Sequence, residues 1–453
     1  MITFFHSGVQ IIKTNNIYQI QLKGDKNMSS FDKVIGYESV KHEFLQVIDV
    51  IKNKAVYESL GAKMPHGILL SGDPGLGKTL IANCFIEESG LPAFILRRSK
   101  GSDNFIDEIA DTFKKAREAA PSVILLDDMD KFANEDDNHR DAEEYVAVQA
   151  AIDDVKNVDV FVIATVNEPR KLPGSLTRCG RFDHKIHITV PDLQSADAII
   201  RHYLKNKKVS ADLNFDDIAK MITYNSCAEL ETILNEAAIN AAFMRKEYVE
   251  MSDITEAVLK MQYGAEDNCS ERTDEEQRKI ALHEAGHLVV NEAILEGGVG
   301  LASIHHKKGG DIGGFIRRCK DLPRRPEHIL VSLAGKAAVE LYYSEACASG
   351  CRKDIGNAYT LIRDGMSESG TLGFGMIDVS TRRCPDTSES LNSRGEAVTQ
   401  AELERYMLKT RDILLKNRDF LEKATEALLE KKTLLASDIL AIRESCTVVP
   451  AVI

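Results

Sequence analysis

Residues 67–79 read GILLSGDPGLGKT, and this stretch decides the fold. Gly72, Asp73, Pro74, Gly75, Leu76, Gly77, Lys78 and Thr79 fit the pattern G-x-x-x-x-G-K-[ST]. An apolar run precedes the pattern and a helical stretch, TLIANCFIEES, follows it. That order is what a phosphate-cradling loop requires. Glycines let backbone N–H groups point at phosphate oxygens, and the start of a helix adds a positive dipole. Lys78 is placed to reach the β- and γ-phosphates of ATP, and Thr79 to hold Mg²⁺.

Outward from this loop, two more apolar runs end in polar tips. SVILLDD (122–128) closes on Asp127 and Asp128, and DVFVIATVN (159–167) closes on Asn167. With HGILLSG (66–72) these runs predict strands buried on both faces of a parallel sheet. Amphipathic helices such as 104–119 lie between them, which is α/β doubly wound architecture. Asp127 is placed to hold Mg²⁺ through water, and Asp128 stands where a water-activating carboxylate is needed. Asn167 is suited to sensing the γ-phosphate or the attacking water. Arg178 and Arg181, in LTRCGRFD, are candidate arginine fingers, cations that stabilise the charge spreading over a transferring phosphoryl group. From residue 194 to 263 the pattern turns helical throughout, as in ELETILNEAAINAAFM.

A second chemistry lies downstream in IALHEAGHLVVNEA (280–293). Residues i and i+4 share a helix face, so His283 and His287 can bind one zinc ion. Glu284 beside them is a candidate general base for metal-activated water. A catalytic zinc needs a third protein ligand. Asp354 and Glu340 both lie next to apolar helix faces, where a carboxylate is costly unless paired or ligating. Spacing leaves the choice between them open. Asp354 is expected to open the helix DIGNAYTLIRDGM. Thr273 and Glu276 have capping-box spacing and start the helix that carries HEAGH, and Gly297-Gly298 stops it. Residues 299–322 are Gly-rich and read as β, and helices continue from there to about residue 444.

The chain has 453 residues and a formal net charge of −13. This length allows two to three domains. An acidic chain without basic runs is a poor fit to nucleic acid, where affinity comes from Lys and Arg on phosphates. Nine scattered Cys, an odd number, read as reduced thiols, and the close pair Cys347 and Cys351 reads as structural. No run approaches the ~20 apolar residues of a membrane helix, and the first 27 residues lack a secretory pattern. The expectation is a cytoplasmic protein whose membrane contact is at most peripheral. Val9–Lys13 and Ile17–Leu22 flank Thr14, Asn15 and Asn16, which predicts a small hairpin. The expected organisation is an N-terminal extension (1–30), an α/β nucleotide-binding domain (31–192), a small helical domain (193–264), a linker (265–276) and a mainly helical domain that carries the candidate zinc site (277–446).

FDKVIGYESVKHEF, GAKMPHGILLSGDPGLGKT, NEPRKLPGSLTRCGRFD, LETILNEAAINAA, HEAGH and SLAGKAAVEL occur in that order between Phe31 and Met376. In this the chain resembles the FtsH family of AAA+ zinc metalloproteases. The resemblance implies a P-loop ATPase core with a helical lid, followed by a zinc peptidase. It implies a homo-hexameric ring that unfolds protein substrates with ATP and cleaves them with zinc. It places Ile35 and Gly36 near the adenine, Asn167 as polar sensor, and Arg178 and Arg181 as fingers reaching a neighbouring subunit. It favours Asp354 over Glu340 as third zinc ligand. Three departures stand out. The family's N-terminal membrane helices have no counterpart here. The family's aromatic pore loop falls on RRSKGSDNF, whose Phe105 reads as core. Asp128 replaces a Glu. The departures leave two alternatives: an ATP-regulated chaperone or interaction protein, and an ATP-gated peptidase with a weak motor.

Overall fold

The computed structural model describes residues 3–6, 9–14, 17–22, 29–63, 65–98, 104–133, 142–178, 180–266, 272–307, 313–343, 348–369 and 389–451. They form two compact units, Met1–Val190 and Pro191–Ile453. The helices at 193–263 therefore group with the C-terminal helices rather than with the parallel sheet.

The first unit opens with strands β1 (Thr3–His6), β2 (Val9–Thr14) and β3 (Ile17–Leu22), joined antiparallel in the order β1-β2-β3. β2 and β3 pair from Val9↔Leu22 to Thr14↔Ile17, and β1 adds a strand that the hairpin pattern did not contain. The main sheet has five strands, β4 (Gly67–Ser71), β5 (Ala93–Leu96), β6 (Ser122–Leu126), β7 (Val160–Val166) and β8 (His184–His187). Their order is β5-β6-β7-β4-β8, and every pairing is parallel. All residues of β4, β6 and β7 are buried, which is why they read as continuous apolar runs. β5 and β8 lie at the edges and are too short and mixed to show periodicity.

Helices α1 (Glu38–Lys52), α2 (Lys54–Ser59), α3 (Lys78–Ser89), α4 (Phe105–Glu118) and α5 (Ala142–Asp154) accompany the sheet. One face is sealed by an aromatic chain. Phe44 of α1 meets Phe85 of α3 edge-on at 5.7 Å, and Phe85 stacks on Phe161 of β7 at 5.4 Å. On the other face Phe105 is buried against Phe132 at 5.1 Å, so it is a core residue. Residues 99–103 of the pore-region stretch lie outside the described residues.

The second unit begins with α6 (Leu193–Leu204), α7 (Phe215–Met221), α8 (Cys227–Phe243) and α9 (Met251–Tyr263). Residues 265–266, expected in a linker, form a short strand β9 (Ala265–Glu266). α10 (Asp274–Ile294) starts at a capping box in which the Thr273 hydroxyl accepts from the Glu276 N–H and the Glu276 carboxylate accepts from the Thr273 N–H. Then come β10 (Val299–Ser303), β11 (His306–Lys307) and β12 (Phe315–Arg318), with β11 paired to β9. Next are the helices α11 (Arg325–Tyr342), α12 (Ala348–Ser369), α13 (Glu389–Lys416) and α14 (Arg418–Lys431). Strand β13 (Thr433–Leu435) and α15 (Ala436–Glu444) complete the unit. β13 lies in a region expected to be helical throughout. Three residues are too few to interrupt a helical pattern, yet β13 completes the sheet β12-β10-β13. Cys351 is buried and forms no disulfide among the described residues, and Cys347 lies outside them.

Phe85 is fully buried between two rings. Phe85→Ala should cost about 3–5 kcal/mol. The check is chemical denaturation, in which the transition of the first unit should move to lower denaturant while that of the second stays in place.

Candidate functional site

In the first unit the loop after β4 and the tips of β6 and β7 sit at the carboxyl ends of parallel strands, where α/β sheets bind ligands. Gly72 has φ 149°, and a Cβ there would meet the Ile188 carbonyl oxygen at 2.3 Å, so the turn out of β4 admits only glycine. Asp73, Pro74, Gly75, Leu76 and Gly77 complete the loop. Lys78 Nζ donates to the carbonyls of Gly72 and Asp73, both at 2.7 Å. Burial pulls the Lys78 ammonium below its ordinary range, against the opposing pull of Asp128, Asp130, Asp73 and Asp127.

Thr79 Oγ1 donates to Asp127 Oδ1 at 2.9 Å. The same carboxylate oxygen accepts from Thr165 Oγ1 at 2.8 Å, and Thr165 Oγ1 accepts from the Asp128 N–H at 2.8 Å. Asp130 accepts from the N–H groups of Asn167 (3.1 Å) and Glu168 (3.0 Å). Thr165 and Asp130 were missed from the sequence. The signal was a hydroxyl inside the otherwise apolar VFVIATV, since a buried polar group needs a partner. A hydroxyl and carboxylate set around the start of a helix fits a magnesium-bound phosphate.

Asp128 adopts a left-handed backbone, φ 54° and ψ 48°. Its carboxylate accepts from Lys131 Nζ at 2.6 Å and from Asn167 Nδ2 at 3.3 Å, with Arg97 at 3.7 Å. Burial would raise its affinity for a proton, but Lys131, Asn167 and Arg97 outweigh that and hold it below the usual carboxylate range. Ile35 and Gly36 lie in the turn before α1, where the Tyr37 hydroxyl donates to the Thr189 carbonyl at 3.2 Å. The two arginines differ. Arg181 forks onto Asp153 of α5 at 2.9 and 2.6 Å and also donates to the Ser175 carbonyl. Arg178 is exposed and makes no ion pair among the described residues.

In the second unit, α10 lies so close to α11 that a Cβ on Gly286 would meet the Ala334 carbonyl oxygen and Ala338 Cβ at 2.6 Å. The His283 ring lies over Gly335, where a Cβ would come within 2.4 Å of it. His287 Nδ1 donates to the Val331 carbonyl at 2.7 Å, which turns Nε2 toward His283 Nε2 at 3.1 Å. Asp354 Oδ2 lies 3.0 Å from His283 Nε2 and 3.3 Å from His287 Nε2. One donor atom from each of the three residues lies within 4.8 Å of the others. Two facing imidazole nitrogens and a carboxylate oxygen need a cation or a shared proton between them, and the donor set suits zinc. Glu284 is buried beside them, packed against Gly314, where a Cβ would meet Glu284 Cγ at 2.6 Å. All four side chains line one cleft of about 380 Å³.

Asp354 does not open its helix. α12 starts at Ala348, and Asp354 sits in its second turn. The polar residues before Asp354 carry no apolar periodicity, so the early turns were not visible. Glu340 is not part of the cluster. Its carboxylate is taken by ion pairs with Lys336 and Arg411.

These two sites define an ATPase core and a metallohydrolase in one chain. Residues 68–190 match the model of the ATPase family associated with various cellular activities (AAA). The chain is 31% identical to the ATP-dependent zinc metalloprotease FtsH of Caldicellulosiruptor bescii, covering 91% of this chain and 72% of that one. It is 30% identical to FtsH 3 of Symbiobacterium thermophilum, over 94% and 73%. Against FtsH of Mycoplasma pneumoniae it is 29% identical, over 99% and 67%. The chain belongs to the FtsH family of ATP-dependent zinc metalloproteases. Its alignments span from 67% to 73% of these relatives' own lengths. Among the described residues no helix is long and apolar enough to cross a membrane.

Burial alone would lower the pKa of His287, but Asp354, then Glu284 and the Val331 carbonyl, outweigh it and push it up to about 9 in the metal-free chain. The protonated pair with Asp354 therefore stabilises the metal-free fold below the ordinary imidazole range, and that stability is lost as pH rises through about 9. A metal must displace this proton. Zinc affinity should weaken about tenfold for each pH unit below that point, one proton per metal. Titration against a competing chelator checks the slope, and a flat profile would contradict the arrangement.

Proposed function

We propose that this chain is an ATP-dependent zinc endopeptidase that unfolds protein substrates and cleaves them. The observation that carries this reading is the meeting of His283, His287 and Asp354 beside Glu284 in one cleft, in a chain that also holds a complete phosphate loop. Zinc held by those three residues would supply Lewis acidity to a water molecule and to the scissile carbonyl. The chain's own residues do the rest. Val331 fixes the His287 ring through Nδ1, so that Nε2 remains the ligating atom. The Glu284 carboxylate takes the proton from the attacking water and gives it to the departing amine nitrogen. Gly313 and Gly314 leave the approach to Glu284 open for a substrate backbone.

At the ATP site the loop N–H groups and Lys78 would hold the phosphates, with Thr79 and Asp127 holding Mg²⁺. Asp128 and Asn167 together orient the attacking water. Of the two arginines, Arg178 is the one free to serve a neighbouring subunit in a homo-hexameric ring, while Arg181 holds its loop against α5. The reading is tested by casein degradation with and without ATP. Glu284→Gln should abolish peptide-bond hydrolysis while the zinc content, read by elemental assay, stays at wild-type level. Casein hydrolysis near wild-type rate in that variant would sink the mechanism.

The ties on Asp128 favour a slow motor. Its carboxylate is one methylene shorter than Glu and is neutralised by Lys131 at 2.6 Å. A misplacement of about 1 Å can cost ~10²-fold in rate. Asp128→Glu should raise steady-state ATP turnover about tenfold or more and leave nucleotide affinity unchanged, because Lys78, Thr79 and Asp127 are untouched. Equal turnover in the two forms would remove the case for a weak motor.

A further inference from the structure

The metal cleft carries charge that peptide cleavage does not use. Arg318 and Lys353 line it, along with His328. Arg318 ends β12, which pairs with β10 on one side and is the edge of its sheet among the described residues. The strand begins next to Gly314, which packs on Glu284. It therefore runs from the catalytic carboxylate outward along the cleft. An edge strand takes an extended peptide as an added strand, so a substrate laid along β12 would pass Glu284 and then Arg318.

The two arginines of β12 face opposite ways, as consecutive strand residues must. Arg317 sends its guanidinium to the Thr223 carbonyl. Arg318 faces the cleft instead, and its Nη1 donates to His328 Nδ1 at 3.3 Å. His328 Nε2 lies 3.0 Å from the Leu322 carbonyl. The nitrogen facing a carbonyl carries the proton, which leaves Nδ1 to accept from Arg318. His328 thus holds the guanidinium in place and leaves its charge uncancelled. Neither Arg318 nor Lys353 makes an ion pair among the described residues, in a chain whose formal net charge is −13. In the cleft, Asp354 is taken by the two His rings.

We propose that this cleft selects protein substrates bearing an acidic side chain close to the scissile bond, with Arg318 as the reading group and Lys353 adding charge on the facing wall. The proposal rests on the peptidase reading above. Gly314 and Arg318 are four residues apart, so on a strand rising about 3.3 Å per residue the acidic side chain falls within about four positions of the cleaved bond. An Arg fork suits a carboxylate in both charge and shape.

The test uses the full-length, zinc-loaded chain and fluorescent peptides identical except for Glu, Gln or Lys at one position, scanned along both sides of the cleaved bond. In the Glu284→Gln background, where peptides bind uncut, Glu at the favoured position should bind about tenfold more tightly than Gln, roughly 1.4 kcal/mol. The preference should shrink with added salt. Arg318→Gln should erase it, Arg318→Glu should turn it toward Lys, and Arg318→Lys should keep part of it, which separates lost charge from lost folding. Equal binding of Glu and Gln peptides at every position would overturn the proposal. Wild-type enzyme that cuts neutral and acidic peptides at equal kcat/KM would also overturn it and leave the peptidase reading standing. Failure to cut any peptide, with the binding preference intact, would instead count against the peptidase reading.

Discussion

The close approach of α10 to α11 is the constraint on which the metal cleft depends. Two helices packed through ordinary side chains lie 8–10 Å apart. Gly286 and Gly335 remove the Cβ atoms that would keep them at that distance, and each faces an atom 2.4–2.6 Å from where its Cβ would be. The approach has two effects. It lets the His283 ring lie on the α11 backbone, and it brings the Val331 carbonyl to His287 Nδ1. Each imidazole is thereby held by backbone, which has far less freedom than a side chain. Asp354 then needs only to arrive from α12 to complete a three-donor set.

The nucleotide site is organised by a different device. There a single hydroxyl, Thr165, ties two strand ends together, binding the carboxylate of Asp127 and the N–H of Asp128. Asp130 does the same for the backbone after β7. The residues proposed to meet Mg²⁺ and water are thus held by neighbours one strand away, and the parallel order β6-β7-β4 brings all of them to one edge.

Much of this was legible in the sequence because local pattern and function coincide there. The phosphate loop and HEAGH each lie within a few consecutive residues on a single element, and the capping box at Thr273 announces the helix that carries the latter. Asp354 was legible only through family likeness, since nothing local distinguishes it from Glu340. The difference is tertiary: Glu340 has Lys336 and Arg411 as partners, and Asp354 has the two His rings. Thr165, Val331 and Gly335 act through residues far away in the chain, so no spacing rule finds them. The edge strands β5 and β8 and the three-residue β13 escaped for another reason, being too short for a period to repeat often enough to stand out.

β13 has a consequence in time. β10 pairs with β12, which comes soon after it in the chain, and with β13, some 130 residues later. The Ile304 N–H likewise waits for the Lys432 carbonyl. On a ribosome that adds ~5–20 residues per second, this second border of the sheet stays open for seconds after HEAGH has emerged. A nascent copy therefore carries this sheet still half-built, and the order of synthesis itself delays the moment at which β10 gains its second neighbour.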